Sequence, residues 1–285
     1  MNLEALRSLS LAPVEQAYTA RDTILYALGL GLGERPTDPA HLRFTYEDGL
    51  LAVPSMCVVL AHPGFWLREP SLGVDWLRML HGEQTFAIHA PIPPGGTVVA
   101  RYRVTAIEDK GRERGAVLHF EKLLTDKASG QRLATVSQVV VLRGDGGQGG
   151  FGEPPPPPAP LPERAPSDVI EIATLPQAAL IYRLSGDLNP IHADPAAAEK
   201  AGFRRPILHG LCSMGLATRA LLERFCPDDP SRLSSLFVRF SKPVYPGDTL
   251  RFEFQRDGST VAFRAIVPQR NEIVLDRARA VFDRL

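Results

Sequence analysis

Residues 182–214 read YRLSGDLNPIHADPAAAEKAGFRRPILHGLCSM, and the rest of the chain is organised around them. Asp187, Asn189 and His192 fall close together, with Pro190 between the last two. Proline has no N–H and disfavours helix in the residue before it, so this piece is a loop or turn. A carboxylate, an amide and an imidazole on one short loop can hold a single water from several sides. Asp accepts, Asn donates and accepts, and neutral His does either at different nitrogens. One group can then take a proton from that water while another supplies one, which is general acid–base chemistry. Gly-Asp, Asn-Pro and Asp-Pro are also ordinary turn dipeptides, and each residue alone reads as turn chemistry. It is the whole string that points to a site.

Downstream of the loop, Asp194-Pro195 has the form of an N-cap followed by proline at the first helical position, with Ala201-Gly202 closing that helix. Gly210 to Phe225 is apolar enough for a longer buried helix. Strands follow at Leu233–Phe240, Thr249–Gln255, Thr260–Val267 and Ile273–Phe282, and Phe252 and Phe254 alternate with Arg251 and Glu253 as in a half-exposed strand. Upstream, Gly144 to Gly152 is glycine-rich and Pro154 to Pro158 opens a proline run reaching Pro162. Flexible glycine next to semi-rigid polyproline marks a linker. The expected division is 1–150, a linker at 151–162, and 163–285.

Before the linker, Tyr18 to Gly33 has helical spacing with a glycine-rich stop. Pro54 to Leu60 suits the first turn of a buried helix. Thr97–Glu108, Gly115–Thr125 and Arg132–Leu142 read as strands joined by Asp109-Lys-Gly111 and by residues 126–130, an antiparallel meander. Each half is thus a helical region followed by antiparallel strands, which makes the chain α+β.

Hydrophobic residues are 44% and charged residues 22%, an ordinary globular composition. Lys+Arg and Asp+Glu are both 32, so there is no general attraction to nucleic acid or an anionic membrane. An anionic small ligand would need a local basic patch. Cys57, Cys212 and Cys226 show no paired spacing, which fits reduced buried thiols. No HExxH occurs among the seven histidines, so no metal site is readable. The first residues have Glu4 and no sustained apolar run, unlike a secretory signal. No stretch approaches a membrane span, and the final Asp-Arg-Leu lacks the small residue that opens a peroxisomal tripeptide. A cytoplasmic protein is expected.

Tyr182, Ser185, Gly186, Asp187, Asn189, Pro190 and His192 stand in the register of Gly-Asp-x-Asn-Pro-x-His, which resembles the signature of the MaoC-like, hydratase 2 family. YTARDTILYALGLG, LHGEQTF at 80–86, EDKGRERGAV at 108–117 and RFSKPVYPGDTL at 239–250 are similar to the hydratase domain of peroxisomal multifunctional enzyme type 2. The resemblance implies a double hotdog, each half a curved antiparallel sheet round a central helix. The first half has no GDxNPxH and would hold substrate and CoA without a catalytic loop. The implied activity is reversible addition of water to a trans-2-enoyl-CoA, giving the (R)-3-hydroxyacyl-CoA.

Such a site needs a held water, a proton for the α-carbon and a donor facing the thioester oxygen. By resemblance Asp187 and His192 are the acid–base pair, with the proton-removing member left open, and Asn189 orients the water. His209-Gly210-Leu211 should begin the long helix, where unpaired N–H groups lie at the positive end of the dipole, and Gly210 matches the family's oxyanion glycine. His81, Gly82, Lys110 and Phe240 match residues that contact substrate or CoA. His81, Lys110 and Phe240 also have plainer readings, as a turn histidine, a solvated hairpin lysine and a core phenylalanine. No cofactor is implied beyond the CoA of the substrate, and the assembly expected is a homodimer. An acyl-CoA thioesterase and a non-catalytic acyl-CoA-binding subunit stay open as alternatives, because a fold does not fix chemistry.

Overall fold

In the first half, α1 (Leu3–Arg7), β1 (Val14–Tyr18), α2 (Ala20–Gly29) and α3 (Pro39–Leu42) precede β2 (Met79–Ile88), β3 (Gly96–Asp109), β4 (Ala116–Asp126) and β5 (Arg132–Leu142). The second half holds β6 (Asp168–Ala173), α4 (Ala178–Tyr182), α5 (Pro195–Lys200), α6 (Gly210–Phe225), β7 (Leu233–Phe240), β8 (Thr249–Asp257), β9 (Thr260–Val267) and β10 (Glu272–Phe282). This computed structural model describes residues 1–283. Arg284 and Leu285, on which the reading of the C-terminal tripeptide rests, lie outside the described residues.

The ten strands of the described residues form one sheet in the order β1-β3-β4-β5-β2-β7-β10-β9-β8-β6. The halves meet at antiparallel β2 and β7, where Glu83 lies opposite Arg239 and accepts from its Nε at 2.7 Å. β3, β4 and β5 make the expected meander, and β2 returns to its far edge beside β5. Phe252, Phe254 and Phe263 point inward and are fully buried, while Arg251 and Glu253 stay partly exposed, as the period-two pattern requires.

The second half is wrapped round α6, whose residues from Cys212 to Leu222 are all buried. Even Arg219 is buried there. Its guanidinium donates to the Leu30 carbonyl at 3.2 Å, to Glu223 at 2.8 Å and to Glu34, which ties α6 to the chain after α2.

The first half departs from the expected helix. Pro54–Val58 is a short 3₁₀ turn rather than the opening of a long helix. Its end is closed by a side chain instead of by further turns: the Nζ of buried Lys122 donates to the carbonyls of Cys57 (2.7 Å), Val58 (3.1 Å) and Leu60 (2.9 Å). Ala61 then takes a left-handed φ of 51°, held by Gln16 at its N–H and Tyr102 at its carbonyl. An ammonium at the carbonyl end of a helical turn satisfies both its orphan acceptors and its dipole.

The glycine stretch is no free spacer either. Asp109 accepts the N–H groups of Gly111, Gly147 and Gly149, and Phe151 pairs with Ile107. A Cβ on Gly146 would stand 2.0 Å from the Gly111 carbonyl oxygen, so glycine here permits close backbone approach rather than flexibility. Among the described residues no helix is long and apolar enough to cross a membrane.

Candidate active site

The loop from Gly186 to His192 builds its own shape. Gly186 closes the preceding 3₁₀ turn with φ 121°, a conformation reserved for glycine. Asp187 Oδ1 then accepts the Asn189 N–H at 3.1 Å, and Asn189 Oδ1 accepts the Ile191 N–H at 3.3 Å. Those two turns and the fixed φ of Pro190 start the 3₁₀ turn Pro190–His192. The loop is docked by one residue of the irregular segment before α6. Ile207 donates its N–H to the Ile191 carbonyl at 3.2 Å and accepts from His192 Nδ1 at 2.8 Å.

That second bond fixes chemistry. A neutral imidazole donating from Nδ1 carries its lone pair on Nε2. His192 Nε2 faces Asp187 Oδ2 at 3.9 Å, with the imidazole buried and the carboxylate about one-third exposed. Burial pushes the His192 pKa below its ordinary value, opposed by the bond to Ile207 and by the Asp187 charge. The pair therefore presents a neutral proton acceptor beside a carboxylate that solvent can reach.

The N-terminus of α6 opens beside this loop. His209 occupies the N-cap but makes no side-chain cap, and its carbonyl accepts from Cys212 at 3.1 Å and Ser213 at 3.2 Å, so the N–H groups of Gly210 and Leu211 are left without a partner among the described residues. A Cβ on Gly210 would lie 3.3 Å from the ring of Phe240. Phe240 in turn meets His81 edge to face at 4.8 Å between centroids. Gly210, Phe240 and His81, from α6, β7 and β2, thus form one wall. Gly82 lies in a register shift of β2 between His81 and Glu83, packed against Val141 and the Val139 carbonyl.

Lys110 is not brought to this cluster. It sits on the β3–β4 hairpin, two strands removed from β2, paired with Glu108, which also binds His119 at 2.8 Å. Asn189 is at the loop as expected, though its side-chain oxygen is committed to the loop backbone.

One further histidine joins the site without a signal of its own in the sequence. The His209 ring stacks on His192 with centroids 3.7 Å apart, and its Nε2 donates to the Asp187 carbonyl at 3.1 Å. Burial lowers the pKa of His81, His192 and His209, to about 4 for His81 and His209, and in all three the Asp187 charge opposes the fall. Adjacency to Gly210 was the cue to His209 in the sequence.

Potential ligand atoms of Asp187, His192 and His209 lie within 4.8 Å of one another, a grouping that spacing alone concealed. The donor set would suit a borderline cation such as zinc. Such an ion would compete for the same His192 lone pair and Asp187 oxygen that a bound water needs.

Comparison with known proteins agrees with this architecture. Residues 16–144 match the MFE-2 hydratase 2 N-terminal domain, and residues 158–277 match the MaoC like domain. The chain is 38% identical to a probable enoyl-CoA hydratase 2 of Dictyostelium discoideum, over 96% of this chain and 94% of that protein. The crystal structure of a MaoC-like dehydratase from Phytophthora capsici superposes with a TM-score of 0.89 at 33% identity, covering 100% of both chains. A Mycobacterium tuberculosis protein described as a double hotdog shares the fold at 17% identity, with a TM-score of 0.58 over 96% of this chain and 94% of that one. With a GDxNPxH loop on the second of two fused hotdogs and relatives of this kind along its whole length, the chain belongs to the MaoC-like, hydratase 2 family.

Proposed function

We propose that the protein is an (R)-specific enoyl-CoA hydratase that adds water reversibly to trans-2-enoyl-CoA thioesters in the cytoplasm, as a homodimer and without a cofactor beyond the substrate's CoA. The observation that carries this is the 3.9 Å separation of His192 Nε2 and Asp187 Oδ2 beside the open end of α6. One water at ordinary hydrogen-bond distances of about 2.8 Å can touch both atoms.

The thioester makes the β-carbon electrophilic, and attack there builds negative charge on the thioester oxygen. The Gly210 N–H, at the positive end of α6, is the donor for that oxygen. As the water oxygen bonds to the β-carbon, a proton passes from the water to the pair. The fixed tautomer gives His192 Nε2 the lone pair to receive it, while Asp187 Oδ2 holds the water. The same proton then returns from the pair to the α-carbon, so atoms and charge balance. Both groups stand on one loop, and addition is therefore to one face. His81 and Phe240 line the reacting carbons' side of the site, with Gly82 shaping the strand behind them. Lys110 serves the CoA nucleotide only if it leaves Glu108.

Hydration of crotonyl-CoA, followed by loss of enoyl-thioester absorbance, tests the reaction against thiol release by a thioesterase and against binding without turnover. Coupling the product to an (R)-specific 3-hydroxyacyl-CoA dehydrogenase should reduce nicotinamide, and an (S)-specific enzyme should not. Dominant (S) product would overturn the arrangement.

A further inference from the structure

We propose that His209 is a positioning residue that locks the catalytic loop to the oxyanion end of α6, its Nε2–H holding the Asp187 carbonyl and its ring serving as the platform for His192. This rests on the hydratase reading above and extends it to a residue that touches neither water nor substrate there.

The geometry is specific. His209 directly precedes Gly210, so the residue that grips the loop is the N-cap of the helix that offers the oxyanion donor. Its 3.1 Å bond to the Asp187 carbonyl fixes the backbone of the same residue whose carboxylate faces His192. Its ring covers His192 at 3.7 Å and 25°, on the loop that Ile207 holds by a separate bond. On its other side lies Tyr182, at 5.1 Å between centroids. His209 Nδ1 and the Tyr182 hydroxyl are both buried without a partner among the described residues. An unpaired lone pair on Nδ1 and a bond from Nε2–H define one tautomer of a neutral ring.

The charged or titratable groups that face His209 are His192 and Asp187 from the loop and Arg183 and Tyr182 from α4 and the turn after it. Two imidazoles stacked at 3.7 Å cannot both be protonated cheaply, so a proton taken up by His192 from the reacting water is not shared with His209 before it returns to the α-carbon. Exchanging ring and donor separately should divide the two contributions.

His209→Phe keeps the platform and removes the donor, so kcat should fall about tenfold or more while the acid limb of kcat/KM stays in place. His209→Gln keeps a donor and removes the platform. Water then reaches His192, its pKa rises toward the ordinary histidine value, and the acid limb should move to higher pH with a smaller loss of kcat. Wild-type kcat and an unmoved limb in both folded variants would reduce His209 to a packing residue and overturn the proposal. Nitrogen NMR of the histidines in the unaltered full-length protein gives a second test independent of variant folding. His209 should appear as the Nε2–H tautomer, and an Nδ1–H tautomer would refute the lock. If crotonyl-CoA hydration were absent in the wild type, the hydratase reading would fail, while the tautomer measurement would still judge the clamp.

Discussion

His192 donates from Nδ1 to the carbonyl of Ile207 at 2.8 Å, and that bond leaves Nε2 as the acceptor facing Asp187. The orientation of the proposed acid–base pair is therefore set from outside the loop, by the chain just before α6.

Replacing either member should remove the chemistry and leave the fold. Asp187→Asn and His192→Ala are each expected to lower hydration by at least ~100-fold, the scale of general acid–base catalysis. Circular dichroism and the urea midpoint should stay near wild type for Asp187→Asn, since its carboxylate is only partly buried. Near-normal turnover in either variant would sink the assignment.

Gly210 tests the oxyanion donor against simple packing. An alanine Cβ would press on the Phe240 ring at 3.3 Å, where a ligand oxygen should also approach the N–H. Gly210→Ala should lower kcat by ~10-fold or more with little loss of stability, because alanine favours a helix over glycine. The double variant with Phe240→Leu relieves the ring contact but not the approach of substrate. Recovery of activity in the double variant would mean that glycine is there for packing alone.

Acid should weaken the fold through its buried histidines. His209 and His81 have folded-state values of about 4, burial being the main cause, against an ordinary 6.5. Between those values the unfolded chain binds more protons than the native one, so stability rises with pH and falls on acidification. The loss is complete near pH 4 and is on the order of 3 kcal/mol for the fully buried His209. Urea unfolding at pH 7 and pH 5 should show the lower midpoint at pH 5. A flat profile across that window would contradict neutral burial.

The two halves should not survive separation. Residues 161–285 alone would expose the β7 edge that pairs with β2 and strip Arg219 of Glu34 and the Leu30 carbonyl. A buried guanidinium missing these partners costs about 3–5 kcal/mol by analogy with broken buried pairs. That fragment should be insoluble or inactive. A soluble fragment with full activity would count decisively against the shared architecture.

Zinc gives a test of the water site itself. Because Asp187, His192 and His209 gather their ligand atoms within 4.8 Å, added Zn²⁺ should inhibit hydration by competing with water, more weakly as pH falls and His192 protonates. A chelator should not lower the activity of untreated enzyme. Inhibition that survived unchanged in folded His192→Ala would place the zinc elsewhere.

The amino-acid sequence by itself determined whatever depends on near neighbours. The caps at Asp194 and Pro195, α6 from Gly210 to Phe225, and strands such as Arg132–Leu142, Leu233–Phe240 and Thr260–Val267 lie where local periodicity puts them. The loop from Asp187 to His192 was equally legible, since its turns are closed by its own Asp and Asn side chains. What only the tertiary structure decided involves partners far apart in the chain. β2 carries a motif but weak alternation, and β7 on its far side completes it as a strand. Pro54–Val58 stops as a short turn because Lys122, a strand residue 62–65 positions away, takes its carbonyls. The glycines at 144–152 are fixed because Asp109 reaches across to their N–H groups. His209 joins the site because a ring one residue before α6 lands on a ring of the loop. Spacing along the chain encodes hydrogen bonds that close within a few residues, whereas a long-range bond or stack exists only once folding has brought its two ends together.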